Sequence, residues 1–368
     1  MPALSEIHSV AANVLPPVEI RPHSGAVQRT NPLEDPGWDA MLMTGSSPCF
    51  FHSAAWAKVL QSTYGYIPIY FTVRESGRLQ SLLPVMEVNS WLTGRRGISL
   101  PFTDDCEPLC SDAASFRCVF QEVMRYAEAR DWKYLECRGG KGFFDGAPAS
   151  TSFYGHRLSL ANNEAVLFAK VEGAVRRAIR KAAKSGVSVE FSQSLDAVRI
   201  FYALQCKTRK KHGLPPQPFR FFQSIHDHVL SQNRGFVVLA RYQQAPVAAA
   251  VFFHWGKKAI YKYGASDERY QQLRANNLVM WEAIKWYAQH GFEKLDFGRT
   301  SLGNEGLRRF KLGWGAEEHQ IDYVRYDRRT GGFVTVKDEA SGWHNRVFHT
   351  LPGFLSRQIG NVLYKHVA

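Results

Sequence analysis

The sequence has few cysteines, and their spacing matches no metal framework. Six of its 368 residues are cysteine: Cys49, Cys106, Cys110, Cys118, Cys137 and Cys206. None forms a C-x-x-C pair, and no histidine cluster supplies partners at zinc-finger spacing. Scattered cysteines in a chain of this length are typical of small buried side chains in a reducing compartment. We therefore predict such a compartment and no metal site.

Long apolar runs are absent as well. A membrane-spanning helix needs roughly 20 apolar residues, and the best candidate run, Ala245 to Trp255, is much shorter and strand-like. The N-terminal residues lack the cationic start and apolar core of a secretory signal. These absences predict a soluble, cytoplasmic protein.

The common motifs of nucleophilic and metal-dependent enzymes are also missing. There is no G-x-S-x-G elbow, no phosphate-binding P-loop and no H-E-x-x-H. A cysteine–histidine pair is not excluded by the sequence, but no local pattern favours one. Acyl transfer to an amine needs none of these motifs, because it requires positioning, an oxyanion donor and a route for one proton.

Positive charge is abundant. Lysine and arginine number 46 against 33 acidic residues, which gives a formal net charge of +13. Such a field attracts anions, including nucleic acid, anionic membrane and phosphorylated ligands. A solvated basic face explains the charge equally well, so charge alone does not choose a partner.

The order of elements predicts an α+β fold. The length exceeds that of a usual single core, so two domains are expected. The second half gives the order β-α-α-β-β-β-α-β-α-β, and the first half gives a rougher version of it. We predict a tail with a first strand (1–35), two domains that are each a mixed sheet flanked by helices (36–160 and 161–328), and a C-terminal tail (329–368).

A basic helix opens the second domain. Arg176, Arg177, Arg180, Lys181 and Lys184 fall along one face of it. Such a face, and Arg180 in particular, would hold the phosphates of a donor or acceptor if it lined a groove. The alternative is a solvated face.

A polar segment connects a strand to a long helix. It runs from Tyr263 to Leu278 and places Arg274, Asn276 and Asn277 at the helix start. Free backbone N–H groups at a helix N-terminus, reinforced by an arginine, form an anion site. Either asparagine would also serve as the N-cap.

The segment LDFGRTS joins a strand to a short basic helix. Asp296 ends the strand, and residues 298–301 are interpreted as a turn that carries Arg299 and Thr300. Ligands gather at such turns, because side chains there are held yet exposed. Arg299 and Lys311 would bind anions or stabilise an oxyanion, whereas Asp296 would orient a neighbour or cap the turn.

An acidic loop lies in the first half, in the run FTDDCEP. Asp104, Asp105 and Glu107 place three carboxylates within four residues. They would neutralise an attacking amine and accept its proton. An Asp-rich turn without catalytic function is the alternative.

The chain resembles the Fem-related (FemAB-like) branch of the GNAT acyltransferase superfamily. The resemblance covers about Phe50 to Tyr326 and rests on RRAIRKAAKSGV, NNLVMWEAIKWYAQHGFEKLDFGRTS, GLRRFKLGWGAE and LPFTDDCEPL. It implies two tandem GNAT-like domains with a cleft between them. Fem enzymes attach amino acids from aminoacyl-tRNA to peptidoglycan precursors, and relatives act in capsule, cellulose or exopolysaccharide biosynthesis.

The resemblance also implies roles for individual residues. Lys311 corresponds to a position near the transferred group, Arg209 and Tyr263 to positions near the acceptor, and Asp104 or Asp105 to a carboxylate of the N-terminal loop. The chain departs from the family in two places: Leu195 to Gly235 has no room for the coiled-coil arm of some Fem enzymes, and QQLRANN lacks the glycines of the usual GNAT pyrophosphate loop. Acyl-CoA, acyl carrier protein and aminoacyl-tRNA therefore all stay open as the donor.

The leading hypothesis is an N-acyl- or aminoacyltransferase that acts on an amine of a cell-envelope or exopolysaccharide precursor. It needs an activated acyl donor as co-substrate and no tightly bound cofactor. The acceptor is a small-molecule or lipid-linked amine. The apolar, basic tail from Trp343 to Ala368 would lie on the inner membrane or pack on the N-terminal domain. This hypothesis includes no DNA partner. The alternative functions are a non-catalytic nucleic-acid-binding protein and a structural GNAT-like module.

Overall fold

The computed structural model of the protein shows an α+β chain that divides into two compact units. It describes residues 8–9, 26–45, 47–336 and 352–366. The first unit contains the described residues up to 153, 321–336 and 364–366, and the second contains 154–320 and 352–363. Among the described residues, no helix combines the length and apolar content that a bilayer crossing requires.

The described residues of the first part of the chain form seven strands and three helices. They are β1 (His8–Ser9), β2 (Gln28–Thr30), α1 (Trp38–Leu42), α2 (Ala54–Tyr64), β3 (Ile67–Glu75), β4 (Arg78–Ser90), β5 (Gly94–Ile98), β6 (Leu109–Cys110), α3 (Ala113–Ala129) and β7 (Tyr134–Arg138). Short 3-10 helices lie at Phe50–His52 and Lys141–Phe143.

The remaining elements follow in a similar order. They are β8 (Thr151–Ser159), α4 (Glu164–Lys170), α5 (Gly173–Lys184), β9 (Ser188–Ser192), α6 (Leu195–Lys211), α7 (Phe219–His228), β10 (Gly235–Tyr242), β11 (Ala245–Trp255), β12 (Lys258–Ser266), α8 (Ala275–Gln289), β13 (Lys294–Ser301), α9 (Glu305–Leu312), β14 (Glu317–Asp327), β15 (Gly332–Thr335) and α10 (Gly353–Leu363). Short 3-10 helices lie at Leu230–Gln232 and Glu268–Leu273. The chain passes from one unit to the other within β8 and within β14.

The first unit is built on a mixed sheet. Its strands follow the order β2-β3-β4-β5-β7-β14, with β3 and β4 antiparallel and β5 and β7 parallel. Helix α3 begins where Asp112 accepts a hydrogen bond from the Ser115 N–H. Its buried residues Phe116, Val119, Phe120 and Val123 recur at helical spacing and form the core with the sheet.

The strands of the second unit also pair in both parallel and antiparallel fashion. They follow the order β8-β13-β12-β11-β10-β9, and α8 is buried along most of its length in the same core. Strands β10, β11 and β12 form an antiparallel meander. The parallel ladder between β12 and β13 joins Lys258–Ile260 to Lys294–Asp296, although both strands continue beyond it. The predicted α+β architecture of mixed sheet with flanking helices is confirmed.

Two sequence expectations about these elements are wrong. Residues 298–301 continue β13 instead of forming a turn, because Gly298 adopts a left-handed φ of 68° and lets the strand bend without ending. Helix α8 begins at Ala275, so Asn276 and Asn277 lie in its first turn and neither is the N-cap. Arg274 takes the N-cap position in a left-handed conformation, with no side-chain capping bond.

The described residues of the C-terminal tail pack within two units: α10 in the second and the residues after it in the first. Gly360 of α10 lies against Pro216, within the second unit. The carbonyls of Tyr364 and Lys365 accept hydrogen bonds from the Tyr66 hydroxyl, within the first unit. The other part of the predicted tail, residues 337–351, lies outside the described residues.

Candidate active site

Lys311 is a buried cation in the second unit. Asn304 starts α9 by accepting a hydrogen bond from the Leu307 N–H at 3.1 Å, and the helix then carries Lys311 inward. The Lys311 side chain is only 2% exposed. Its Nζ donates to the carbonyls of Gly298 and Arg299 at 2.8 and 3.0 Å. A buried ammonium needs such partners, so Lys311 ties α9 to the bend of β13.

The bend of β13 is fixed from a second side. Oδ1 of Asp296 accepts a hydrogen bond from the Gly298 N–H at 2.7 Å. Its other oxygen lies 3.5 Å from the Arg157 guanidinium on β8. Asp296 therefore orients the backbone whose carbonyls hold Lys311.

A histidine on β8 belongs to the same site. His156 is fully buried, and its Nε2 lies 3.1 Å from Oε2 of Glu318. Arg308 donates two hydrogen bonds to Glu318, at 2.7 and 2.8 Å, and thereby lowers the pKa of that carboxyl. Since Glu318 is ionised and only accepts, Nε2 of His156 carries the proton and donates it. Nδ1 then presents its lone pair.

The surroundings keep His156 neutral. Burial lowers its pKa below the ordinary value, and the positive charge of Lys311 lowers it further, against the opposing effect of Glu318. A neutral histidine whose Nδ1 holds a lone pair is a proton acceptor at neutral pH. Lys311 is close enough to His156 to lower its pKa, so the two side chains are electrostatically coupled.

Three buried polar atoms of this region find no hydrogen-bond partner among the described residues. They are Nδ1 of His156, Oγ1 of Thr300 and Nε1 of Trp314. Thr300 follows Arg299 on β13, and the Trp314 N–H bonds to the carbonyl of Lys311. Buried polar groups are nearly always paired. These three atoms lie on β8, on β13 and in the segment after α9, and they are available as one acceptor and two donors.

Three predicted residues surround the N-terminus of α8. Arg274 and Asn276 are exposed, and Asn277 is half-buried. Arg274 has a φ of 58°, which is uncommon for a residue with a side chain. The N–H groups of the first helical turn and the adjacent arginine have the chemistry of an anion site.

The structure places the other predicted residues of the second unit elsewhere. Tyr263 on β12 packs its ring among Phe201, Phe221 and Phe222. The side chain of Arg209 donates from Nε to the carbonyl of Pro215 at 3.3 Å, which fixes the segment after α6. Arg180 is exposed on α5, and its guanidinium lies 5.3 Å from the ring centre of Phe168.

The acidic loop lies in the first unit. The Tyr323 hydroxyl donates to the carbonyls of Asp104 and Thr103 at 2.8 and 3.2 Å. Oδ1 of Asp105 lies so close to Gly139 that an added Cβ there would be 2.1 Å away. Leu100, within the same loop, has a left-handed φ of 61°. These contacts fix the backbone of the loop that carries both carboxylates.

Of the predicted residues, the structure brings together Asp296, Arg299, Thr300 and Lys311. The sequence interpretation missed His156, because a single histidine on a strand carries no local signal of function. Its partner Glu318 is 162 residues away.

Comparisons with known proteins agree with this fold. Residues 169–320 match the acetyltransferase (GNAT) domain family. A stretch of 88 residues is 31% identical to the lipid II:glycine glycyltransferase of Staphylococcus haemolyticus (strain JCSC1435) and covers 21% of this chain and 21% of that protein. The structure of FemX aligns with a TM-score of 0.65 at 14% identity, over 85% of this chain and 98% of that one. A tandem GNAT protein from the clavulanic acid biosynthesis pathway aligns with a TM-score of 0.55 at 11% identity, over 82% and 98%.

Residues 169–320 therefore contain a GNAT domain, and the fold of the chain is that of the tandem GNAT protein and of FemX. The expected resemblance to the Fem-related branch of the GNAT superfamily is confirmed. The matched domain and the similar glycyltransferase support the expected acyltransferase class. The aligned stretch spans about a fifth of the length of the curated relative. The expected cleft between the domains stays a prediction.

Proposed function

We propose that the protein transfers an aminoacyl or other acyl group from an activated donor to an amine of a cell-envelope precursor. The observation that carries the proposal is a neutral, buried His156 beside the buried cation Lys311. Such a pair combines a proton acceptor with a positive charge, which are the two requirements of acyl transfer to an amine. The GNAT domain match and the similarity to a glycyltransferase support the same reaction class.

In the proposed reaction the amine nitrogen attacks the carbonyl carbon of the donor. A C–N bond forms, the C–O or C–S bond to the carrier breaks, and the amine loses one proton. His156 takes this proton at Nδ1 and returns it to the leaving oxygen or sulfur. Lys311, Arg299 and the Thr300 hydroxyl stabilise the negative charge on the carbonyl oxygen. Asp104 or Asp105 is the alternative proton acceptor.

The proposed donor is aminoacyl-tRNA, and the proposed acceptor is a lipid-linked amine. The similarity to a lipid II:glycine glycyltransferase supports both assignments. The N-terminus of α8, with Arg274, Asn276 and Asn277, would bind donor phosphates, and the exposed Arg180 would add to the positive field. Arg209 and Tyr263 would lie toward the acceptor. A lipid-linked acceptor would bring the protein to the inner membrane, with the C-terminal tail as the peripheral contact.

A donor survey tests the proposal. The purified chain is mixed with an amine-bearing lipid-linked precursor and with radiolabelled aminoacyl-tRNA, acyl carrier protein or acyl-CoA in parallel. We expect label in the lipid fraction with aminoacyl-tRNA. Label that appears only with acyl-CoA or acyl carrier protein would show that the donor is a different one, while the proposed reaction class would stand. No transfer from any donor, to lipid-linked or polysaccharide amines, would contradict the proposed function.

A further inference from the structure

The first unit contains a second group of reactive side chains, formed by Cys49, His52 and Cys106. Their sulfur and nitrogen atoms all lie within 4.8 Å of one another. Sγ of Cys49 is 3.1 Å from Nδ1 of His52, and Sγ of Cys106 is 3.6 Å from Nε2. His52 and Cys106 are buried, whereas Cys49 is partly exposed. The proposed transfer reaction uses none of these three residues.

The hydrogen bonds of His52 determine what its ring can do. Nε2 lies 2.9 Å from the carbonyl of Glu107, which only accepts, so Nε2 carries a proton. Nδ1 accepts the Cys49 N–H at 3.1 Å and faces the Cys49 sulfur. Nδ1 is therefore placed to take the thiol proton of Cys49, and when it does so it exchanges the bond from the Cys49 N–H for one that it donates to the sulfur. The result is a thiolate beside an imidazolium, an arrangement typical of reactive cysteines.

The pKa directions agree with this geometry. A hydrogen bond from Cys106 holds the pKa of Cys49 well below its usual range, and His52 acts in the same direction against the effect of burial. Burial lowers the pKa of His52, but the charge of Cys49 and the hydrogen bonds to Cys49 and to the Glu107 carbonyl together outweigh it and raise the pKa overall. Burial and the neighbouring Cys49 raise the pKa of Cys106.

Other titratable groups face the pair as well. They are Tyr70, Asp105 and Glu107. Each of them is neutral or negative, so they disfavour a second negative charge. One thiol of the pair ionises, and the other stays protonated and donates to it.

The geometry fits a thiol pair better than a metal centre. Zinc needs both sulfurs at about 2.3 Å and one nitrogen lone pair at about 2.0 Å from a single point. Here the two sulfurs lie against different ring nitrogens. Both nitrogens also have backbone partners, the Cys49 N–H and the Glu107 carbonyl.

We propose that Cys49 is a peroxide-reactive thiolate and that Cys106 is its resolving partner. The Cys49 sulfur attacks one oxygen of a hydroperoxide, the O–O bond breaks, and the released hydroxide takes the His52 proton to give water when the oxidant is hydrogen peroxide. The resulting sulfenic acid is then attacked by Cys106, which loses its proton as the S–O bond breaks. A disulfide and a second water form, so two thiols are oxidised and one peroxide is reduced.

Oxidation of Cys49 and Cys106 would affect the acidic loop of the first unit. Cys106 directly follows Asp104 and Asp105, and its N–H bonds to the carbonyl of Arg138 at 2.8 Å. A disulfide to Cys49 would cross-link the acidic loop to the segment before α2. The position of both carboxylates would then depend on the oxidation state of the pair.

Alkylation measures the thiolate in the unmodified protein. The full chain is treated briefly with iodoacetamide between pH 5 and 9, and each cysteine peptide is quantified by mass spectrometry. We expect Cys49 to react well below pH 8, while Cys110, Cys137 and Cys206 serve as internal controls, because burial raises their pKa values. The His52→Asn variant should move the Cys49 profile toward that of an ordinary thiol. Labelling of Cys49 only above pH 8 in the wild-type protein would overturn the proposal.

Oxidation measures the second step. With hydrogen peroxide, the wild-type protein should give a Cys49–Cys106 linked peptide that is lighter by two hydrogen atoms. In Cys106→Ser, dimedone should instead trap a sulfenic acid at Cys49, and Cys118→Ser is the matched control that leaves the disulfide unchanged. Oxidation at other cysteines first would overturn the proposal. So would one tightly bound zinc ion that protects both thiols, which would assign the cluster as a metal site.

Discussion

At the scale of single residues, Lys311 has two separable effects. Its ammonium satisfies the carbonyls of Gly298 and Arg299, and its charge lowers the pKa of His156. The first effect is structural, because a buried carbonyl without a donor destabilises the fold. The second concerns chemistry, because it keeps the imidazole neutral. One substitution measures both.

We expect Lys311→Met to lower the free energy of unfolding by about 2–3 kcal/mol, since two buried acceptors lose a charged donor. The same change should raise the pKa of His156, because the repulsion from the ammonium is gone. Denaturant unfolding measures the first effect, and an NMR titration of the His156 ring measures the second. Lys285→Met is the control, since Lys285 pairs with Glu282 on α8. An unchanged His156 pKa would show that Lys311 does not act on it.

Which residues form the site was predictable from sequence only in part. The sequence favoured Lys311, Arg299, Thr300 and Asp296, because polar residues between a strand and a short helix suggest a ligand site. It did not show that Lys311 is buried, since LRRFK has the composition of a solvent-facing turn of helix. The role of His156 depends on Glu318, a contact that sequence separation hides.

At the scale of elements, the bend in β13 depends on one glycine. Gly298 has a φ of 68°, and Gly291 has a similar φ of 76° at the end of α8. Alanine at either position should destabilise the protein by about 1–2 kcal/mol, because a Cβ is strained in the left-handed region. Only Gly298→Ala should also reduce acyl transfer, since the Gly298 carbonyl holds Lys311. Thermal unfolding and turnover are measured together, and equal turnover in both variants would contradict the role of the bend.

The N-terminus of α8 allows a similar separation of stability from binding. Arg274→Gly should stabilise the protein by about 1 kcal/mol, because it relieves a left-handed residue. It should also raise KM for the anionic donor about fivefold, or about 1 kcal/mol, by removing one charge. Gln244→Gly, at a φ of 67° in the β10–β11 turn, should stabilise without changing KM. A KM unaffected by Arg274→Gly would remove this helix end from donor binding.

Secondary structure was predictable where periodicity and capping agree. The sequence predicts a short basic helix after the strand, and α9 forms there, with Asn304 as its cap. The segment 298–301 was misinterpreted, because a glycine followed by polar residues has the composition of a turn. In the structure Gly298 bends the strand, and Thr300 is buried beyond it.

At the scale of the whole molecule, the repeated order of elements was enough to predict the fold. It was not enough to predict where the chain divides into two units. The domains predicted from the sequence end at residues 160 and 328. The structure divides the chain inside β8 and inside β14, which each contribute residues to both units. A strand that serves two units has one continuous pattern of apolar residues, so its sequence shows no boundary.

The net charge of +13 bears on the whole chain as well. It would attract an anionic donor such as aminoacyl-tRNA, and it would equally attract nucleic acid without catalysis. Binding therefore does not distinguish the two functions. Only a covalent product whose formation depends on His156 distinguishes them.

The most direct test is the pH dependence of single-turnover acyl transfer with the donor that supports turnover. In the wild-type protein the rate should be constant at neutral pH and fall on the acid side, with a midpoint below the ordinary histidine pKa of about 6.5, because His156 must be unprotonated to accept the amine proton. His156→Gln should lower the rate about 10²–10⁴-fold, and His254→Gln, which changes another histidine of lowered pKa, should not. A full rate in His156→Gln, with the loss appearing in Asp104→Asn or Asp105→Asn instead, would contradict His156 as the base.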